Sequence, residues 1–227
     1  MPACIHRFVL VLTWFGLSAA LAQESSVKPG INQAYRGADY ARWQASFETE
    51  GREVFEQRQR IIDALGIQSG MVVADVGAGT GAFSLPLARK VGAGGTVIAQ
   101  DVAPEFIRGI EARARTEGLA QLRTVLGGER DARLPAGGVD LVFTSDTYHH
   151  FEYPQAMLAS LHAALKSGGR LVVIDYERIP GRSSPWILGH VRAGRETVIA
   201  EIEAAGFGLL RSHDLLRENY FLEFRRR

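Results

Sequence analysis

Three glycines at alternate positions, Gly77, Gly79 and Gly81, follow the apolar run Val72–Val76 in the stretch VADVGAGTGAF. A strand entering such a turn and then a helix makes room for a nucleotide-like ligand. Glycine lets the ligand approach the backbone, and the N–H groups of the turn and helix start favour negative charge. GAGTGA also satisfies the dinucleotide pattern G-x-G-x-x-G/A, with Ala82 last. Asp101 closes the next apolar run, where a carboxylate can accept hydrogen bonds from ribose hydroxyls. These features suit NAD and S-adenosylmethionine alike. Asp75 leans one way: a carboxylate at the strand end favours a cationic ligand group and repels a pyrophosphate. It can also serve simply to orient the loop's amides.

A second chemical stretch is SDTYHHFEYP, with Asp146, Tyr148, His149 and His150 as titratable groups. A general base is needed only by an acceptor that arrives protonated. The plainer role of this stretch is to wall a pocket with Phe151 and Tyr153. Adjacent histidines lack the i, i+4 spacing of helical metal ligands, and no cysteine accompanies them, so no metal is expected.

These residues need a scaffold, and the pattern around them supplies one. Strand-like runs fall at Val72–Val76, Thr96–Gln100, Arg123–Leu126, Asp140–Thr144 and Arg170–Asp175. Helical patterns such as Pro104–Glu117 and Pro154–Lys166 separate them, which predicts a parallel sheet with helices on both faces. Two last runs, Leu209–His213 and Tyr220–Arg225, are too close for a crossover helix and should pair antiparallel. Upstream, residues 23–38 read as a polar linker. Residues 39–66 read as helices divided near Gly51 and ended by Gly66.

Four segments, VADVGAGTGAFSLPLA, VIAQDVAPEFI, LPAGGVDLVFTSDTYHHFEYP and LKSGGRLVVIDY, resemble class I S-adenosylmethionine-dependent methyltransferases of the small-molecule type. The similarity is to the broad group of ubiquinone/menaquinone C-methyltransferases and methyltransferase-11 domains, and it covers about Gly51 to Arg226. It implies a Rossmann-like, seven-stranded, mostly parallel α/β sheet with an antiparallel C-terminal pair, over residues 67–227. It further implies S-adenosylmethionine as cofactor, with Asp75, Gly77, Ala78, Gly79 and Gly81 around its methionine part. Asp101 would take the ribose and Val102 the adenine face. Glu129, or else Asp131, would contact the adenine amino group. His149, His150 and Asp146 become candidates for catalysis. Acceptor candidates are Tyr148, Trp186, His190 and Trp43, the last on helices able to act as a lid. Ser183, Ser184 and Arg192 lie in the same acceptor region as Trp186, where Pro180, Gly181 and Pro185 argue for a loop.

Composition is that of an ordinary globular chain of 227 residues, 46% hydrophobic and 22% charged. A formal charge of +1 and the lack of a Pro-Pro-Tyr-type motif after the fourth strand point away from nucleic acid and toward a small-molecule acceptor. The start is different. FVLVLTWFGLSAALA follows Arg7 without a charge and ends in the small-x-small triplet Ala20-Leu21-Ala22, so residues 1–22 read as a cleaved signal peptide. Cleavage would remove Arg7 and Cys4, the only cysteine, leaving a neutral exported chain with no disulfide and no stable membrane insertion. An uncleaved anchor or a mis-assigned start are the other readings. Export would separate the chain from a cofactor made in the cytoplasm, so a non-catalytic exported binding protein stands as an alternative, with an NAD-dependent oxidoreductase behind it.

Overall fold

A computed structural model describes residues 25–227, so the expected leader lies outside the described residues. The described residues open with a strap, residues 25–38, containing one 3-10 turn at Gln33–Tyr35. Three helices follow, α1 (Tyr40–Phe47), α2 (Glu53–Glu56) and α3 (Arg58–Ala64). The alternating part runs β1 (Val72–Val76), α4 (Ser84–Val91), β2 (Thr96–Asp101), α5 (Pro104–Thr116), β3 (Leu122–Leu126), β4 (Val139–Ser145), α6 (Pro154–Ala164) and β5 (Leu165–Tyr176). It ends with α7 (Pro185–His190), α8 (Arg195–Ala204), β6 (Phe207–His213) and β7 (Asn219–Arg226).

Among the described residues the strands form one sheet in the order β3-β2-β1-β4-β5-β7-β6. Pairing is parallel from β3 to β5, and β7 pairs antiparallel with both β5 and β6, as the short final connection requires. Successive residues of a strand face opposite ways, and both faces are dry. Leu141 and Phe143 pack with α3, α4 and α5 on one side, while Val142 packs with α6 and α8 on the other. The continuous apolar runs read as strands are continuous because both faces are buried.

The strand order places β1 beside β4, which is where this topology reverses and opens a crevice at the strands' carboxyl ends. Two N-terminal elements behave differently around it. Ile61, Ile62 and Leu65, in and just after α3, are fully buried in the core. α1 instead lies over the crevice. Tyr40 Oη donates to Thr80 O at 2.7 Å, and Thr80 Oγ1 donates to Glu48 at 2.8 Å. Arg113 of α5 reaches both Glu48 and Thr80 O, so this cover is fastened directly to the glycine turn.

The strap is not a free linker. Glu152 accepts Ser26 Oγ at 2.8 Å and Gly30 N–H at 3.0 Å, and its carbonyl accepts Val27 N–H at 2.8 Å. Asn32 is buried and donates to His150 O. Polar residues in this strap are bonded inward to the body, which composition alone does not reveal.

Candidate functional site

β1 delivers Asp75 to the crevice floor, 3% exposed. Gly77 and Ala78 N–H both donate to Gln100 O of β2 at 2.9 Å, fixing the turn to its neighbour. Gly77 has φ +73°, and a Cβ there would fall 2.1 Å from Thr147 Cγ2. The turn after β1 therefore closes on the turn after β4, and only glycine fits between them. Gly81, at φ +83°, is packed against Ile110 of α5 rather than against the crevice.

The floor is electronegative. Asp75 accepts Ser84 Oγ at 2.5 Å, and Asp101 accepts the N–H groups of Gly79 and Ala103, each at 2.9 Å. Burial raises the Asp75 pKa to about 7, helped by the charge of Asp101, and burial raises Asp101 to about 6. Neither has an ion-pair partner among the described residues. Two buried carboxylates on one cavity wall leave lone pairs and negative charge for a ligand that is itself cationic and rich in hydroxyls.

The cavity encloses about 540 Å³, ordinary for a cofactor and a small substrate together. Its cover is aromatic. Tyr35 contacts Trp43, Phe47 and Phe106 with ring centroids 4.8, 6.3 and 6.0 Å away. At the far end stand His149, His150, Tyr176, Trp186 and His190.

This arrangement has relatives. Residues 73–169 match a methyltransferase domain family. This match and the relatives below support a class I S-adenosylmethionine-dependent methyltransferase. It is 32% identical over 149 residues to nocamycin O-methyltransferase of Saccharothrix syringae, covering 65% of this chain and 53% of that protein. Against a ubiquinone/menaquinone biosynthesis C-methyltransferase of Methylococcus capsulatus it is 29% identical, covering 52% and 48%. Thus the chain spans about half the length of the curated relatives it matches. A S-adenosylmethionine-dependent methyltransferase from Aquifex aeolicus shares the fold, with TM-score 0.74 and 24% identity over 83% of this chain and 98% of that one.

The site fits S-adenosylmethionine on its own chemistry. Asp75, Gly77, Ala78, Gly79, Asp101 and Val102, the residues expected around the cofactor, all line the cavity. His149, His150, Asp146, Trp186, His190 and Trp43 line it too. Four expected positions do not. Gly81 serves helix packing. Tyr148 is 1% exposed and points into the opposite core, where its hydroxyl donates to Glu201 at 2.8 Å and burial raises its pKa. Glu129 pairs with Arg36 outside the cavity at 3.0 Å, and Asp131 turns back to accept Arg133 N–H at 2.7 Å. The wall on that side is instead made by Gln100, Val102 and Phe106.

Asp146 is present but engaged. It sits at φ +50°, in a 2.6 Å ion pair with Arg52, and accepts Asn219 Nδ2 at 2.6 Å. Burial raises its pKa and the Arg52 charge opposes that rise. His149 is held most firmly: Nδ1 lies 2.7 Å from Asp175 Oδ1, and its backbone N–H donates to Asp175 Oδ2 at 2.9 Å. Sequence reasoning passed over Asp175. Yet VADV, IAQD and VVID each put an aspartate at or near a strand's carboxyl end, and that repeat was the available signal. For Arg52 and Tyr35, which reach the cavity from the N-terminal segment, no local motif exists.

Proposed function

We propose that this chain transfers a methyl group from S-adenosylmethionine to a small, flat, largely apolar acceptor by in-line displacement. The observation that carries the reading is the pair of buried carboxylates, Asp75 and Asp101, in one cavity with an aromatic chamber. Bound there, S-adenosylmethionine supplies an electrophilic methyl on a sulfonium. Asp75 would hold the methionine ammonium, directly or through water, and Asp101 the ribose hydroxyls. Val102 and Phe106 would flank the adenine. The chamber of Tyr35, Trp43, Phe47 and Trp186 aligns the acceptor and keeps out water, and alignment alone supplies much of the acceleration such a transfer needs. The two relatives named above methylate oxygen and carbon according to their names, so family membership leaves the acceptor atom open. Phenols, thiols and quinone-like rings fit the chamber. Export of the chain through residues 1–22 belongs to the same proposal.

Calorimetry of the chain from Gln23 with S-adenosylmethionine and with NADH tests this. We expect the sulfonium to bind and NADH not to. Binding of NADH alone would sink the reading, and sulfonium binding without turnover over thiols, phenols and quinols would favour a non-catalytic binding protein. A fusion of residues 1–30 to a reporter active only outside the cytoplasm tests export, and a silent reporter would remove it.

A further inference from the structure

Three imidazoles meet at the acceptor end of the cavity. His149 and His150 come from the 3-10 turn Tyr148–His150 after β4, and His190 is the last residue of α7. Their ring centroids are 4.3, 5.1 and 5.2 Å apart. One ring nitrogen of each lies within 4.8 Å of the others, and the Nε2 atoms of His150 and His190 are 3.5 Å apart. Two imidazoles on one tetrahedral zinc, with Zn–N of ~2.0–2.1 Å, hold their nitrogens roughly 3.4 Å apart. One edge of the triangle already has that length, and the others need ring movement on the order of 1 Å.

One of the three rings is already oriented for ligation. Asp175 accepts His149 Nδ1–H at 2.7 Å, which leaves the Nε2 lone pair of His149 free. A carboxylate behind an imidazole is the arrangement that orients and strengthens a histidine ligand. His150 Nδ1 is buried with no hydrogen-bond partner among the described residues. A 3.5 Å contact is at the outer limit of a hydrogen bond and does not account for packing three imidazoles together. The ammonium of Lys28, donating to the carbonyls of Gly189 and His190, opposes a cation here, whereas buried Asp175 favours one.

We propose that His149, His150 and His190 bind one divalent transition-metal ion of the zinc class, with an open coordination position facing the cavity. An all-imidazole set suits zinc and its neighbours and not magnesium or calcium. Three protein ligands with a free position are the pattern of a catalytic rather than a structural zinc. The acceptor role that follows rests on the methyl-transfer reading. A hydroxyl or thiol acceptor seated at the open position loses its proton to solvent more readily, because the ion stabilises the anion. The site thereby narrows the acceptor class to oxygen and sulfur acids.

The test uses the full-length chain, stripped by chelator, and zinc alone. Calorimetry should find one Zn²⁺ per chain, and Co²⁺ should give the intense visible bands of a tetrahedral nitrogen site. His190→Ala, at a half-buried position, should weaken Zn²⁺ binding at least about tenfold. Asp175→Asn should weaken it about 10–100-fold, with thermal melts checking that both variants fold. No stoichiometric binding by the wild-type chain overturns the proposal, and so does binding that His190→Ala leaves unchanged. S-adenosylmethionine affinity, measured on the same samples, keeps the two readings apart. Zinc binding that depends on His190, without sulfonium binding, upholds the metal site and removes methyl transfer. Sulfonium binding without zinc binding does the reverse.

Discussion

The two ends of the cavity are built by different means. The cofactor end comes from one short stretch, Asp75 to Ser84, plus the adjacent end of β2, and backbone hydrogen bonds hold it. Gly77, Ala78 and Gly79 N–H groups are all spent on Gln100 O or Asp101. The acceptor end is gathered from far along the chain: Lys28, Tyr35 and Trp43 from the N-terminal segment, His149 and His150 after β4, Trp186 and His190 on α7. Side chains hold these pieces together. A backbone-built floor tolerates almost no change of shape, while a side-chain-built chamber can be altered piece by piece. Chains of one fold can thus keep one cofactor and change acceptors.

The largest effect should come from breaking the rigid end. Gly77→Ala puts a Cβ into Thr147 and forces a left-handed conformation on an L-residue, each worth roughly 1–3 kcal/mol. We expect at least about 100-fold loss of S-adenosylmethionine affinity, or loss of soluble protein, read by calorimetry and thermal melts. Adding Thr147→Gly should restore part of the stability by removing the clash but not the backbone strain. If Gly77→Ala binds normally, the floor is not rigid and the contrast fails.

Charge at the same end gives the next effect. Asp101→Asn should weaken the sulfonium cofactor about 10–100-fold, since a charge-assisted bond is lost in a buried site. The carboxyls also fix the pH response. Their folded pKa values, about 7 for Asp75 and about 6 for Asp101, lie above that of a free aspartate. Their contribution to stability is therefore full below about pH 4 and is lost as pH rises through 6 to 7. The cofactor-free chain should melt progressively lower across that window. Cofactor affinity should move the opposite way, rising from pH 5 to 7.5 as the carboxylates ionise, with the dependence reduced in Asp101→Asn.

How much of this was legible in the sequence follows the same division. Glycine turns, strand ends and the antiparallel tail are short-range patterns, and Asp75, Gly77 and Asp101 lie where they were expected. Longer-range assembly was not legible. The strand was expected to start at Arg170, yet β5 begins at Leu165, with a register shift opposite Val139–Leu141 that absorbs the irregularity. Pro185 read as a loop signal, but it opens α7 at the first helical turn, with Ser184 Oγ capping Ile187 N–H at 3.2 Å. That helix carries His190 to His149 and His150, and the spacing rule used against a metal considered neighbours along the chain only. Glu129 and Asp131 failed as cavity residues because the loop after β3 turns their carboxylates outward, which no periodicity reports.

The strap offers a more moderate perturbation. Glu152→Ala removes the acceptor shared by Ser26 and Gly30 and should lower stability by about 1–2 kcal/mol. Limited proteolysis should then cut within residues 25–38 much faster than in the parent chain. Cofactor affinity should stay within about threefold, because the strap fastens mainly to the acceptor end. Equal loss at both ends would mean that they are one cooperative unit.

The smallest effect should be at Trp186, and it is the most discriminating. The residue is 56% exposed, yet its ring stacks on His190 at 4.7 Å and 18° and meets Tyr176 edge-on. An exposed indole contributes little to folding, so Trp186→Ala should change stability by no more than about 0.5 kcal/mol. Losing the stack removes one wall of the chamber and loosens His190, a contact worth about 0.5–1.5 kcal/mol. Once an acceptor is found, its KM should rise roughly threefold to tenfold, with S-adenosylmethionine affinity unchanged. Trp186→Phe should recover most of that loss, since a smaller ring still stacks. If Trp186→Ala weakens the cofactor as much as the acceptor, the side-chain-built end reaches into the floor, and the two ends cannot change independently.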